Sequence, residues 1–157
     1  MMAGQPEEAI AVTKEFLVLN EKHPGMLSFE DVVQAKCYQA QAYSDCGKWK
    51  DSAKIFKSLI GEYKQREEDP SDLIITGYTR VLYELQKYDE AMEVGNMAIE
   101  LNRSRPGVHK YVALSQKAMG DIDEAKTSMS RAILYEYHWD KDNMQKNKEL
   151  LRELNNI

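Results

Sequence analysis

Long apolar runs are missing from this 157-residue chain. No stretch approaches the roughly 20 consecutive apolar residues that cross a bilayer, and Met1-Met2-Ala3-Gly4-Gln5-Pro6 lacks the basic-then-apolar layout of a secretory leader. A soluble, cytoplasmic protein without membrane insertion is therefore expected. Cysteine is scarce: Cys37 and Cys46, nine residues apart, are the only two. That spacing supplies neither a disulfide framework nor a metal knuckle, and reduced thiols are the simpler expectation. An excess of positive charge is also lacking, since 21 Lys and Arg stand against 26 Asp and Glu for a net charge of −5. Neutralising phosphates takes a concentrated basic surplus, so nucleic acid is not expected as a partner, although local basic patches stay open. Four prolines and eight glycines are few enough to leave long helices uninterrupted.

Catalytic and metal-binding patterns are missing as well. His23, His109 and His138 are scattered, without the helical pairing or the cysteine partners that zinc needs. No glycine-rich phosphate loop follows a strand, because no strand is expected, and no Gly-x-Ser-x-Gly elbow occurs. Acid pairs such as Glu67-Glu68 and Asp89-Glu90 are ordinary on helices. Neither enzymatic activity nor a cofactor or metal is expected.

What the chain does have is a period. Tyr88-Asp89-Glu90-Ala91 is answered 34 residues later by Ile122-Asp123-Glu124-Ala125, and Ala98-Ile99 by Ala132-Ile133. Around this period the apolar residues recur at three and four, the helical spacing. Pro6-Glu7-Glu8 opens a helix that carries Ala9, Val12, Phe16 and Leu19 and ends near His23-Pro24-Gly25. Ser28 with Asp31 caps the next, which runs towards Gly47, and from Trp49 a partner places Ala53, Phe56, Leu59, Ile60 and Tyr63 on one side. Trp49 matches Tyr88 after 39 residues rather than 34, so about five extra residues lie around 61–69 as a longer helix or an extended loop. Asp69-Pro70-Ser71 is a break that caps the following helix, and Arg105-Pro106-Gly107 and Gly120-Asp121 are further breaks. Gly95 interrupts a helix at a cost of about 1 kcal/mol relative to alanine, which points to close approach of a neighbour. Tyr135, Tyr137 and Trp139 form an aromatic cluster, either a seam within the fold or an interface anchor. Asp140 to Ile157 has Met144, Leu151 and Leu154 on one face.

The 34-residue period, the Asp-Glu-Ala openings and the alanines one period apart resemble the tetratricopeptide repeat (TPR) family. The resemblance implies an all-α, right-handed superhelical solenoid of antiparallel helix hairpins in one domain. Its parts are an N-terminal half-repeat helix at 6–23, repeats at 28–69, 72–105 and 106–139, and a capping helix at 140–157. Ala40, Ser52, Ala91, Ala98, Ala113, Ala125 and Ala132 fill the positions where helices approach closely, and Tyr43, Trp49, Phe56, Tyr78 and Tyr88 fill wider gaps.

Function follows from the same resemblance. TPR-like hairpins present a concave groove, and the family pattern assigns to it Gln34, Cys37, Gln41 and Ser44, then Leu73, Thr76, Arg80 and Tyr83, then Lys110, Leu114 and Lys117. The implied role is a protein-binding scaffold or adaptor holding a peptide, with Arg80, Lys110 and Lys117 suited to an acidic one unless each pairs with a neighbouring acid. The carboxylate clamp of chaperone-tail binders is missing, since Cys37, Gln41, Gly77, Gly107 and Tyr111 occupy its places. Cys37 is either a core hydrophobe or an accessible thiol. The alternative role is a structural subunit or solenoid fragment that docks or homo-oligomerises through its incomplete first repeat.

Overall fold

The computed structural model describes residues 5–101, 105–136 and 140–157. The described residues form eight helices and no strand: α1 (Pro6–Lys22), α2 (Phe29–Asp45), α3 (Trp49–Gln65), α4 (Asp72–Glu84), α5 (Tyr88–Glu100), α6 (Pro106–Met119), α7 (Ile122–Glu136) and α8 (Lys141–Asn155). They divide into two compact units, Met1–Pro70 and Ser71–Ile157, at the break that Asp69-Pro70-Ser71 announces.

In the first unit α2 packs between α1 and α3. The Ser28 hydroxyl accepts the Asp31 N–H while the Asp31 carboxylate accepts the Ser28 N–H, which satisfies two donors at the start of α2. Where α2 and α3 cross, Ser52 replaces the usual alanine. Its hydroxyl donates to the Ala40 carbonyl at 2.7 Å and lies 2.8 Å from the buried Ser44 hydroxyl, so neither polar group is stranded. At the other end Lys36 pairs with Glu62 at 2.7 Å, and Phe29 meets Tyr63 edge-on at 5.5 Å. The extra residues of this repeat lengthen the second helix: α3 has 17 residues, whereas α5 has 13.

In the second unit α4 lies across α5 and α6, α6 packs on α7, and α7 on α8. Ile75, Ala98, Val108 and Val112 form one buried cluster, and Ala113, Ala125, Met129, Ala132 and Leu154 another. All seven small residues assigned to close helix approach are fully buried. Of the five aromatics, Phe56 and Tyr78 are buried, whereas Tyr43, Trp49 and Tyr88 keep an exposed edge.

Three turns between paired helices share one geometry. The N–H groups of Lys48, Lys87 and Asp121 donate to the carbonyls of Tyr43, Leu82 and Gln116 at 2.8, 2.9 and 2.9 Å, closing the preceding helices. The residue before each donor must be left-handed: Gly47 at φ 71°, Gln86 at 60° and Gly120 at 93°. Glycine enters that region freely, while a side chain costs about 1–2 kcal/mol there. Gln86→Gly is therefore expected to raise the unfolding free energy by about 0.5–1 kcal/mol after the greater freedom of glycine in the unfolded chain is subtracted. Urea denaturation reads this as a higher midpoint at unchanged slope.

Candidate peptide-binding face

The side-by-side packing of α4 and α6 decides which residues share a surface. On α6, Lys110, Leu114 and Lys117 stand four and three residues apart and occupy one face, all partly exposed. On α4, Arg80 and Tyr83 are one turn apart and partly exposed. The two helices meet through aromatic rings. Tyr83 lies 5.7 Å from Tyr111 of α6 and 5.9 Å from Tyr88 of α5, both tilted, and the Lys110 Nζ stands 5.8 Å from the Tyr111 ring centre. Leu114 packs one side against the core cluster around Met129.

The electrostatics set Lys110 apart. Burial pushes its ammonium below the ordinary lysine range, the positive charges of Lys146 and Arg80 push the same way, and Glu136 opposes them. Glu136 is itself raised, first by burial and then by Asp140, with Lys110 acting against both. Lys117 lies 3.7 Å from Glu153, so the neutralising pair anticipated for these cations exists at that position.

In the first unit Gln34 and Gln41 are exposed on α2, and Gln34 donates to the Tyr38 hydroxyl at 3.2 Å. Cys37 and Ser44, placed on the same groove by the family pattern, are buried. The physical reason is that α1 and α3 grip α2 from two sides, leaving in solvent its first-turn acids Glu30 and Asp31 and the stripe Gln34, Tyr38, Gln41 and Asp45. Burial raises the Cys37 thiol to about 11, so the hydrophobe is the reading that fits. Two outcomes follow. A thiol reagent at pH 8 modifies Cys37 only as fast as the fold opens, an accessibility loss that unfolding in urea removes. The unfolded thiol ionises first as pH rises, so this group's contribution to stability is complete below its unfolded value and falls away towards about 11.

Sequence reasoning missed Lys146 on the α4–α6 side and Tyr38 on α2, and it named Tyr111 only as a departure from the carboxylate clamp. A signal for the tyrosines was present: Tyr38 and Tyr111 each stand nine residues before a turn glycine, Gly47 and Gly120. Of the aromatic cluster, Tyr135 stacks on buried His109 at 5.0 Å, whereas Tyr137 and Trp139 lie outside the described residues. Among the described residues no group of three His, Cys, Asp or Glu side chains is placed to hold a metal ion, and no helix is long and apolar enough to cross a membrane.

No protein-family model and no curated protein sequence matches the chain. Solved structures do. The first TPR domain of human RPAP3 superposes with a TM-score of 0.60 at 18% identity, covering 79% of this chain and 95% of that one. This chain has the TPR fold. PcrH from Pseudomonas aeruginosa, another structure with this arrangement of helices, superposes with a TM-score of 0.71 at 19% identity over 82% of this chain and 95% of its own. PcrH has also been solved in complex with the chaperone binding region of PopD, and that structure superposes at 0.70 with 19% identity, covering 83% of this chain and 95% of PcrH. Likeness at this identity speaks for the TPR fold alone, and the ligand must be argued from the residues.

Proposed function

We propose that this chain is a non-catalytic interaction scaffold whose α4–α6 face holds an acidic peptide segment of a partner protein. The observation that carries the reading is the junction of α4 and α6, where Tyr83 lies 5.7 Å from Tyr111 and the Lys110 Nζ stands 5.8 Å from the Tyr111 ring; Lys146 and Arg80 act on Lys110 there as like charges, with Glu136 opposing them. A carboxylate entering there relieves like-charge repulsion and gains charge-assisted hydrogen bonds. Tyr83 and Tyr111 supply an apolar step beside the charges, and Leu114 extends it. Lys117, tied to Glu153, is a weaker second contact. The complex of PcrH with a segment of PopD supports the general mode, a TPR-fold protein holding a piece of another chain.

Two fluorescent peptides of one composition, with Glu in the first where the second has Lys, test the reading by anisotropy. The acidic peptide is expected to bind, and its affinity to fall steeply as salt rises from about 0.05 to about 0.5 M, where screening shortens to a few ångströms. Equal binding of both peptides would remove the electrostatic part of the proposal.

A further inference from the structure

In the second unit α4 covers the groove between α5 and α6 through a stripe at four-residue spacing. Ile75 joins Ala98 of α5 and Val108 and Val112 of α6 in one buried cluster. The Thr79 methyl stands 3.5 Å from where a Gly95 Cβ would lie, and the Tyr83 ring meets Tyr88 and Tyr111. The first unit contains the counterpart of the lower two helices. Pro6-Glu7-Glu8-Ala9 opens α1 as Tyr88-Asp89-Glu90-Ala91 opens α5, and Tyr38 occupies on α2 the place of Tyr111 on α6.

Their exposure differs sharply. Ala91 is fully buried but Ala9 is exposed, and Tyr111 is half-buried whereas Tyr38 is 54% exposed. Val12, the counterpart of half-buried Val94, is 58% exposed. Between α1 and α2 runs an open groove of about 510 Å³, lined by Pro6, Ala9, Val12, Tyr38 and Ala42, with Asp45 also on its wall.

We propose that this groove receives one amphipathic helix of a partner protein, seated on α1 and α2 as α4 is seated on α5 and α6. The template defines its chemistry. A large apolar residue, a small one and an aromatic one follow at i, i+4 and i+8, and the aromatic ring rests on Pro6, Ala9 and Tyr38. The middle residue is alanine or glycine, because Thr13 takes the place of Gly95. A lysine or arginine follows the ring, since the groove ends where Asp45 and the carbonyl end of α2 carry negative charge and, at the adjacent Cys46, Glu7 and Asp45 stand against the single positive charge of Lys48. A second copy of this chain fits poorly: symmetric docking sets groove against groove, and any other docking requires a helix already packed within its own unit. This site does not depend on the α4–α6 face.

The probe is a synthetic capped helix of about 16 residues, long enough to hold helical structure, with Ile, Ala and Tyr at four-residue spacing followed by Arg. Its binding to the full chain is read by fluorescence anisotropy. Saturable binding is expected, weakened at least about tenfold by Val12→Asp and by Tyr38→Ala, and similarly by exchanging the peptide's Arg for Glu. The peptide exchange leaves the protein untouched, and both protein positions are more than half exposed, so a folding defect does not mimic the result; circular dichroism checks this. Arg80→Glu with Lys110→Glu leaves this binding unchanged, which separates its failure from failure of the acidic-peptide reading. Absence of saturable binding, or binding indifferent to Val12 and Tyr38, overturns the proposal. So does concentration-dependent self-association abolished by Val12→Asp in sedimentation equilibrium, because a second copy then covers the groove.

Discussion

Gly95→Val is expected to lower the unfolding free energy by about 3 kcal/mol, the upper end of what over-packing ordinarily costs. A Cβ at position 95 would stand 2.4 Å from the Val112 Cγ2, with Thr79 and Val108 side chains at 3.5 and 3.6 Å. Val112 cannot step aside, because it is buried in the Ile75 cluster and its branched side chain has one strongly preferred rotamer in a helix. The helices must part instead. Valine's better helix propensity returns only a few tenths of a kcal/mol. Guanidinium denaturation of the single variants and of the double variant with Val112→Ala checks the cause. If the clash is responsible, the two changes couple by at least about 1 kcal/mol, with the double variant more stable than the sum predicts. Strict additivity would place the origin elsewhere.

Replacing Arg80, Lys110 and Lys117 together by glutamate is expected to weaken acidic-peptide binding by about 30–100-fold. Each exposed contact contributes roughly 0–1 kcal/mol and is replaced by a repulsion of similar size, so three sites yield about 2–3 kcal/mol. The effect concentrates at Lys110, whose half-buried position screens it least from a bound carboxylate. Neutral replacement by glutamine gives an intermediate loss, which distinguishes electrostatics from shape. The Lys117–Glu153 pair is lost as well, with little effect on the fold because Glu153 is largely exposed. Undiminished binding by a folded triple variant would eliminate the α4–α6 face as the acidic-peptide site.

The helical hairpins are legible because stacking repeats one physical problem every 34 residues. Ala91 and Ala125 are alanine because a neighbouring helix passes at each, and both are fully buried. Gly95 betrays its close contact in the same way, since glycine inside a helix costs stability unless space demands it. Side-chain exposure is harder to read. Cys37 and Gln41 are four residues apart on α2 and point within about 40° of each other, yet only Gln41 reaches solvent. Family spacing assigns both to one groove, and the outcome depends on how far α3 wraps α2.

The sequence by itself determined the all-helical class, the pairing of helices and the turn positions, because periodicity and local turn geometry are properties of neighbouring residues. Only the tertiary structure decided which charges meet. Lys146 acts on Lys110 from another helix, and Tyr83 finds Tyr111 across 28 residues of chain. It also decided that Ala9, Val12 and Tyr38 stand bare where their counterparts in the second unit are covered. Exposure belongs to the packing of whole helices, which the repeat spacing conveyed for the seven small residues and not for Cys37 and Ser44.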